Sequence, residues 1–145
     1  MSQDDEKLRR MVFELRVLEE TVNTLQTRIG FINAAIRELQ IANETINGIK
    51  NEDKGSHILV PIGGGSYINA QITDTKNLLV GIGANVSTVK NIASAQEDIG
   101  TRILELEKTK NAVQKQLEDV NVQIRRTQNQ LRIMARQQNE GNMNV

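Results

Sequence analysis

The sequence predicts a mainly α-helical protein, a long antiparallel two-helix coiled coil with two β-hairpins between its helices. Two observations predict this fold class. Long stretches towards both ends of the chain repeat an apolar residue alternately three and four positions apart, and β-branched residues replace that repeat between residues 55 and 90. A mean spacing of 3.5 residues keeps one narrow seam facing a partner helix along a left-handed supercoil. Because one chain supplies both seams, we expect the two helices to pair with each other.

The first helix is expected over residues 2–50 and the second over 91–138, with a flexible tail over 139–145, all within one domain spanning 1–145. The first seam consists of Leu8, Met11, Leu15, Leu18, Val22, Leu25, Ile29, Ile32, Ile36, Leu39, Asn43 and Ile46. The second consists of Ile92, Gln96, Ile99, Ile103, Leu106, Lys110, Val113, Leu117, Val120, Ile124, Thr127, Leu131 and Met134.

Polar residues mark the ends of both predicted helices. Ser2 with Asp5 can satisfy free backbone N–H groups at the start of the first helix, and Asn91 or Ser94 can do so for the second. Asn47-Gly48 predicts a left-handed stop for the first helix, because glycine adopts positive φ without a steric penalty.

Four positions of the seams are polar: Asn43, Gln96, Lys110 and Thr127. A polar seam residue generally fixes the register or the choice of partner at some cost in stability. Alternatively, several helical hairpins meet at these positions, or the two helices splay apart there. The sequence leaves both interpretations open.

The central segment, residues 56–89, is predicted to form two successive β-hairpins. Strands are expected at 56–62, 66–72, 77–82 and 86–89, since these β-branched runs are separated by turn residues. The three residues Val60, Ile62 and Gly63 recur twenty positions later as Val80, Ile82 and Gly83, so one structural unit occurs twice. Pro61 cannot donate a ladder hydrogen bond, so we expect its strand either to have that side unpaired or to lie at an edge.

These hairpins are too small to cover their own apolar surface, and an isolated hairpin is marginally stable in water. Open strand edges also invite pairing with another chain. We therefore expect the hairpins of several subunits to join into a larger sheet or an intersubunit β-barrel. The residues expected to support this oligomerisation are Ile58, Val60, Ile62, Ile68, Ile72, Val80 and Ile82.

Composition argues against several other classes of protein. The 18 basic and 18 acidic residues balance, so the electrostatic footprint of a nucleic-acid-binding protein is missing. No apolar run approaches the about 18 residues of a membrane span, and there is no cysteine, which predicts a soluble cytoplasmic protein. His57 is the single histidine, and no Gly-Lys-Ser/Thr follows Gly63-Gly64-Gly65, so we expect neither an enzyme nor a bound metal or cofactor.

Two segments resemble the α-class subunits of prefoldin: LVPIGGGSYI at 59–68 and LLVGIGANVSTVK at 78–90. Asn85 stands where that family more often has glycine, and Gly64 where alanine is common. The resemblance implies a hexamer of two α and four β-class subunits, in which a β-barrel platform carries six coiled coils. It further implies that the assembly holds unfolded proteins without ATP and passes them to a group II chaperonin.

Client binding is expected at the end of the coil where the two chain termini lie. Phe13, at heptad position f, is the leading candidate, because a side chain opposite the seam takes no part in pairing the helices. Exposed apolar groups suit transient binding of unfolded segments, since the hydrophobic effect is non-directional. The full predicted set is Leu8, Met11, Val12, Phe13, Leu131, Ile133 and Met134.

The sequence is also compatible with two alternative functions. Antiparallel coiled coils also serve as non-catalytic scaffolds or tethers, which would hold folded partners and show little activity towards unfolded ones. An RNA-binding helical arm is a weaker alternative, suggested by Arg125, Arg126, Arg132 and Arg136. Acidic residues on the opposing helix offset that charge, which favours ion pairing within the hairpin.

Overall fold

A computed structural model describes residues 2–144, which form two long helices separated by four strands. The order is α1 (Gln3–Lys50), β1 (His57–Gly63), β2 (Ser66–Gln71), β3 (Asn77–Gly83), β4 (Val86–Asn91) and α2 (Ile92–Met143). This order confirms the predicted succession of helix, two hairpins and helix. Neither of these helices contains a stretch long and apolar enough to span a membrane.

The chain divides into two compact units. The terminal unit combines the chain up to Ala34 with the chain from Glu107 onward, so it contains the first part of α1 and the last part of α2. The central unit, Ala35–Leu106, contains the end of α1, both hairpins and the start of α2.

The burial of the helices follows the predicted seams. Every seam residue of α1 and α2 is buried or half-buried, whereas most residues between them are exposed. Met11, Ile32 and Ile36 are each 8% exposed in α1, and Val113 is 3% exposed in α2. A single narrow stripe of buried side chains is what a coiled coil requires, whereas a helix packed on a globular core buries a broader face.

The starts of both helices are capped by side chains. The backbone N–H of Asp5 donates to Ser2 Oγ over 3.3 Å, as the predicted capping pair requires. The backbone N–H of Ser94 donates to Asn91 Oδ1 over 2.7 Å, so Asn91 is the cap of α2. Each bond satisfies a backbone donor that has no partner within the helix.

The predicted stop at Asn47-Gly48 is wrong. Helix α1 continues through both residues to Lys50, and Gly48 does not have positive φ. The reason is tertiary packing: Ile46 is 8% exposed, Ile49 is half-buried, and Asn47 Oδ1 accepts a hydrogen bond from Gln96 Nε2 at 2.5 Å. These contacts hold the last turn of α1 in helical conformation despite the glycine.

Helix α2 is longer than the sequence predicts. It ends at Met143, so most of the segment predicted as a tail is helical. Gln137, Gln138 and Glu140 are good helix formers, and no proline follows them. Residue 145, the last of the predicted tail, lies outside the described residues.

The four strands form two separate two-stranded antiparallel sheets, β1 with β2 and β3 with β4. Each hairpin turns on two residues of positive φ, Gly64-Gly65 in the first and Ala84-Asn85 in the second. Positive φ at both central residues is the requirement of a type I′ turn, whose twist matches that of paired strands. One extra residue precedes each turn, since the register shifts between Pro61 and Gly63 and again between Gly81 and Gly83.

Candidate functional site

The terminal unit brings the first turns of α1 next to the last turns of α2. A cavity of about 230 Å³ is lined by Lys7 and Met11 from α1 and by Gln130, Ile133 and Met134 from α2. Three of the seven residues predicted to bind clients therefore share one apolar depression. Two methionines in it supply flexible, polarizable surface that adapts to differently shaped side chains.

The seven predicted residues separate into two groups by exposure. Met11 is 8% exposed, and Leu8, Leu131 and Met134 are half-buried, because these four belong to the seams. Val12, Phe13 and Ile133 are 44%, 68% and 56% exposed, respectively. These three outward side chains offer apolar surface to another molecule at this end of the unit.

Six large apolar side chains on the described helices are exposed and were not predicted as site residues; besides Val17, Val122 and Met143 they are the following three. Phe31 is 73% exposed in the terminal unit, and Ile41 and Leu104 are 56% and 68% exposed in the central unit. The heptad repeat places them at positions c, f and b, away from the seam, which is the signal that would have found them. Single exposed apolar residues are common, so these three do not by themselves define a site.

The hairpins expose apolar side chains on both faces. On one face, Val60 and Ile68 are directly opposite each other and are 40% and 54% exposed. Ile58 and Val80 on the corresponding faces are half-buried, and the bulge residues Ile62 and Ile82 are 59% and 61% exposed. These residues belong to the predicted oligomerisation set.

The other face of each hairpin is more exposed, and its residues were not predicted as site residues. We call it the open face: Leu59 and Tyr67 in the first hairpin, 63% and 60% exposed, and Leu79 and Val89 in the second, 73% and 67% exposed. Leu79 and Val89 are direct cross-strand partners, so they form one apolar patch. Alternation of side chains along each strand was the available signal, but it does not reveal which face the chain itself covers.

Ile72 has a different place from the rest of the predicted oligomerisation set. Ile72 directly follows β2 and is 7% exposed. Its equivalent twenty residues later, Ile92, is 5% exposed. The N–H of Ile72 donates to Ser56 O, and the N–H of Ile92 donates to Lys76 O, both at 2.9 Å. Ser56 and Lys76 immediately precede β1 and β3. Ile72 therefore packs within its own chain, which leaves little of its surface for a neighbouring subunit.

Polar contacts secure the region where the hairpins meet the helices. Lys90 Nζ of β4 forms an ion pair with Asp98 Oδ2 of α2, and the two side chains are 33% and 48% exposed. Gln96 reaches Asn47 across the two helices. Among the described residues, Asn43 Oδ1 is the one buried side-chain oxygen without a hydrogen-bond partner. Among the four polar seam residues, Gln96 thus joins the two helices by a hydrogen bond, as a determinant of register would.

Comparisons with known proteins agree with these features. The family model described as "Prefoldin subunit" matches residues 18–138. The chain is 32% identical to prefoldin subunit alpha 1 of Thermococcus kodakarensis over 72% of each chain. It is 33% identical to prefoldin subunit alpha of Methanopyrus kandleri, covering 77% of this chain and 71% of the relative. The resemblance carried by the two glycine-turn segments is thereby confirmed.

A solved structure shares the fold. A chain in the cryo-EM structure of filamentous PFD from Methanocaldococcus jannaschii aligns with a TM-score of 0.69. The alignment covers 77% of this chain and 92% of that chain, with 21% sequence identity. At this identity the likeness concerns the arrangement of helices and hairpins.

Proposed function

Because the chain belongs to the prefoldin family, we propose that it is the α-class subunit of an ATP-independent chaperone that captures unfolded or nascent proteins in the cytoplasm. The chaperone prevents their aggregation and hands them to a group II chaperonin. Two copies of this chain assemble with four β-class subunits through their hairpins. The observation that carries the proposal is the apolar surface of Val12, Phe13 and Ile133, which the seam leaves exposed at the end of the terminal unit.

The chemistry of this surface suits unfolded clients. Burial of apolar surface stabilises a complex by about 25 cal/mol per Å² and requires no particular geometry, so many sequences can bind. The neighbouring cavity of about 230 Å³ accommodates single side chains and does not enclose a whole ligand. Binding is therefore expected to be weak at each subunit and to gain strength when several subunits hold one client.

The decisive experiment measures how well the assembled chaperone suppresses aggregation of a chemically denatured protein. Phe13→Ser is expected to reduce suppression, because it removes the most exposed of the three predicted outward side chains, Val12, Phe13 and Ile133. Phe31→Ser is the matched control, since Phe31 is 73% exposed on the same helix but lies eighteen residues further along α1, away from the end where the chain termini lie. Equal suppression by the Phe13 variant and wild type, with intact assembly, would refute the assignment of the client site.

Assembly is tested separately by the mass of the native complex. Val60→Glu and Val80→Glu are expected to produce smaller species when mixed with a β-class prefoldin subunit, because a charge on these strands opposes burial between subunits. A wild-type chain that stays monomeric in that mixture would contradict the proposed assembly. A scaffold or tether would assemble normally, yet it would fail to suppress aggregation even as the wild type.

A further inference from the structure

The two hairpins repeat one register with an offset of twenty residues. The pair His57–Gln71 of the first hairpin corresponds to the pair Asn77–Asn91 of the second. In the same way, Pro61–Tyr67 corresponds to Gly81–Ser87. Each pairing of the first hairpin thus has a counterpart in the second. Any difference between the edges of β1 and β3 therefore comes from individual residues.

The ladder shows which N–H groups point out of each hairpin. The N–H of Ile72 donates to Ser56 O, so residues 56 and 72 form a hydrogen-bonded pair. The next pair along the ladder, His57 with Gln71, therefore exchanges no hydrogen bonds. Pairs alternate along an antiparallel ladder, so the backbone groups of residues 57, 59 and 61 of β1 point away from β2. The bond from Ile92 N–H to Lys76 O places residues 77, 79 and 81 of β3 in the same way.

One donor is missing from each of these outward edges, at different positions. Pro61 has no N–H, so the edge of β1 lacks its donor nearest the turn, whereas Gly81 supplies that donor on β3. On β3 the donor nearest the base is engaged instead, because Asn77 N–H donates to Asp74 Oδ1 over 3.1 Å. The available donors are therefore His57 and Leu59 on β1, and Leu79 and Gly81 on β3.

We propose that the two hairpins accept strands of neighbouring prefoldin subunits at different offsets, near the base on β1 and near the turn on β3. The offset amounts to one rung of the ladder, which is two residues along the twenty-residue repeat. This inference rests on the proposed assembly and specifies how the chain distinguishes its neighbours. Pro61 and Asp74 are the residues that set the two offsets.

The occupant of each edge is a strand of another subunit's β-hairpin. The open face beside the β3 edge presents Leu79 and Val89, 73% and 67% exposed, and a strand added at this edge extends that apolar face into a wider sheet. The chain's own hairpins present the same kind of apolar face in the same register. A hairpin strand therefore matches both the backbone edge and the side chains next to it.

A reciprocal pair of substitutions tests this inference in full-length chain mixed with a β-class prefoldin subunit. Gly81→Pro removes the outward donor of β3 without touching the ladder inside the hairpin. It is expected to weaken association by about tenfold or more, since a buried acceptor on the neighbour loses its partner. Pro61→Gly is expected to leave association unchanged, because the neighbour of β1 ends before this rung. Sedimentation velocity over a concentration series measures both.

Gly81→Ala is the control that keeps the N–H, and it is expected to associate like wild type. Amide exchange provides an independent measurement: the amides of Leu79 and Gly81 are expected to be protected only in the complex, together with those of His57 and Leu59. Equal effects of Gly81→Pro and Gly81→Ala would overturn the inference, as would fast exchange of the Gly81 amide in the complex.

The outcomes separate this inference from the proposed function. If Gly81→Pro leaves the mass of the complex unchanged and instead weakens capture of a denatured protein, the edge binds extended client segments and the inference is overturned. If the wild-type chain forms no complex at all, the proposed assembly itself fails. Normal assembly and aggregation suppression by both variants would overturn the offsets alone.

Discussion

The two hairpins are copies of one unit, and they differ in how each is joined to its surroundings. The first has three glycines before β2 and Pro61 on its edge, while the second turns on Ala84-Asn85 and is held to α2 by the Lys90–Asp98 ion pair. The residues that the two share, such as Val60 with Val80 and Ile72 with Ile92, maintain pairing and packing. The differences lie on turns, edges and attachments, where a hairpin meets water, α2 or another chain.

The largest expected effect is the difference between proline substitutions at two neighbouring positions of β3. Val80 belongs to a hydrogen-bonded pair with Thr88, so Val80→Pro removes a donor inside the ladder and is expected to unfold the second hairpin. Gly81→Pro instead introduces proline at a position whose N–H points outward, which is the position that Pro61 occupies in the first hairpin. This variant is expected to preserve the second hairpin. Amide exchange of β3 and β4 in the isolated chain distinguishes the two, and loss of protection in both variants would contradict the assigned alternation.

The sequence predicts the helices and strands well because their periods are physically enforced. An apolar residue every 3.5 positions has one low-energy arrangement, so every predicted seam residue is at least half-buried. Helix ends were predicted less accurately, since α1 runs through Gly48 under the influence of packing around Ile46 and the Gln96 hydrogen bond. Local propensity is a weak signal that tertiary contacts override.

The candidate site was predictable in part. Phe13 and Ile133 were recognised from their outward heptad positions, and they are among the exposed residues of the terminal unit. Leu59 and Leu79 were missed, because alternation in a strand defines two faces without saying which one the same chain covers. The burial of Ile72 was missed for the same reason.

The next effect concerns the two turns. Ala84 has φ of 50°, a left-handed conformation that costs a residue with a Cβ about 1 kcal/mol relative to glycine. Ala84→Gly is therefore expected to stabilise the second hairpin by about 0.5–1 kcal/mol, and Gly64→Ala to destabilise the first by a similar amount. No atom lies within 4 Å of a Cβ added at Gly64, so conformation alone decides the effect.

Urea unfolding at one fixed protein concentration measures both variants, because the proposed assembly would make stability depend on concentration. Pro61→Gly does not serve as a control here, since it alters an edge. Asn85→Gly serves instead, because it changes the other positive-φ residue of the same turn. A lower stability for Ala84→Gly than for wild type would show that the Ala84 methyl group contributes packing.

A smaller effect is expected from the attachment of the second hairpin to α2. Ala70 occupies the position in the first hairpin that Lys90 occupies in the second, so only the second has this ion pair. Because both side chains are at least one-third exposed, Lys90→Ala is expected to cost less than about 1 kcal/mol and to matter less at high salt. A double-mutant cycle with Asp98→Ala measures the coupling, and a coupling that persists in 1 M salt would contradict the electrostatic account.

The smallest effect is a dependence on pH at the start of β3. The backbone N–H of Lys76 lowers the pKa of Asp74, assisted by the side-chain amide and the backbone N–H of Asn77. A folded-state pKa below the ordinary value of about 3.9 means that the carboxylate stabilises the fold above that value. This stabilisation is lost as pH falls through the lower, folded-state pKa. The first hairpin has Lys54 at the equivalent position and has no such carboxylate.

Acidification is therefore expected to release the Asn77 N–H from Asp74 while leaving the His57 N–H of β1 unaffected by this group. NMR titration of the two amides checks the difference directly. Asp74→Asn retains an acceptor oxygen but cannot ionise, so the Asn77 amide of that variant is expected to lose its acid transition. If the transition persists in the variant, another carboxylate controls the start of β3, and the two hairpins differ for a reason other than Asp74.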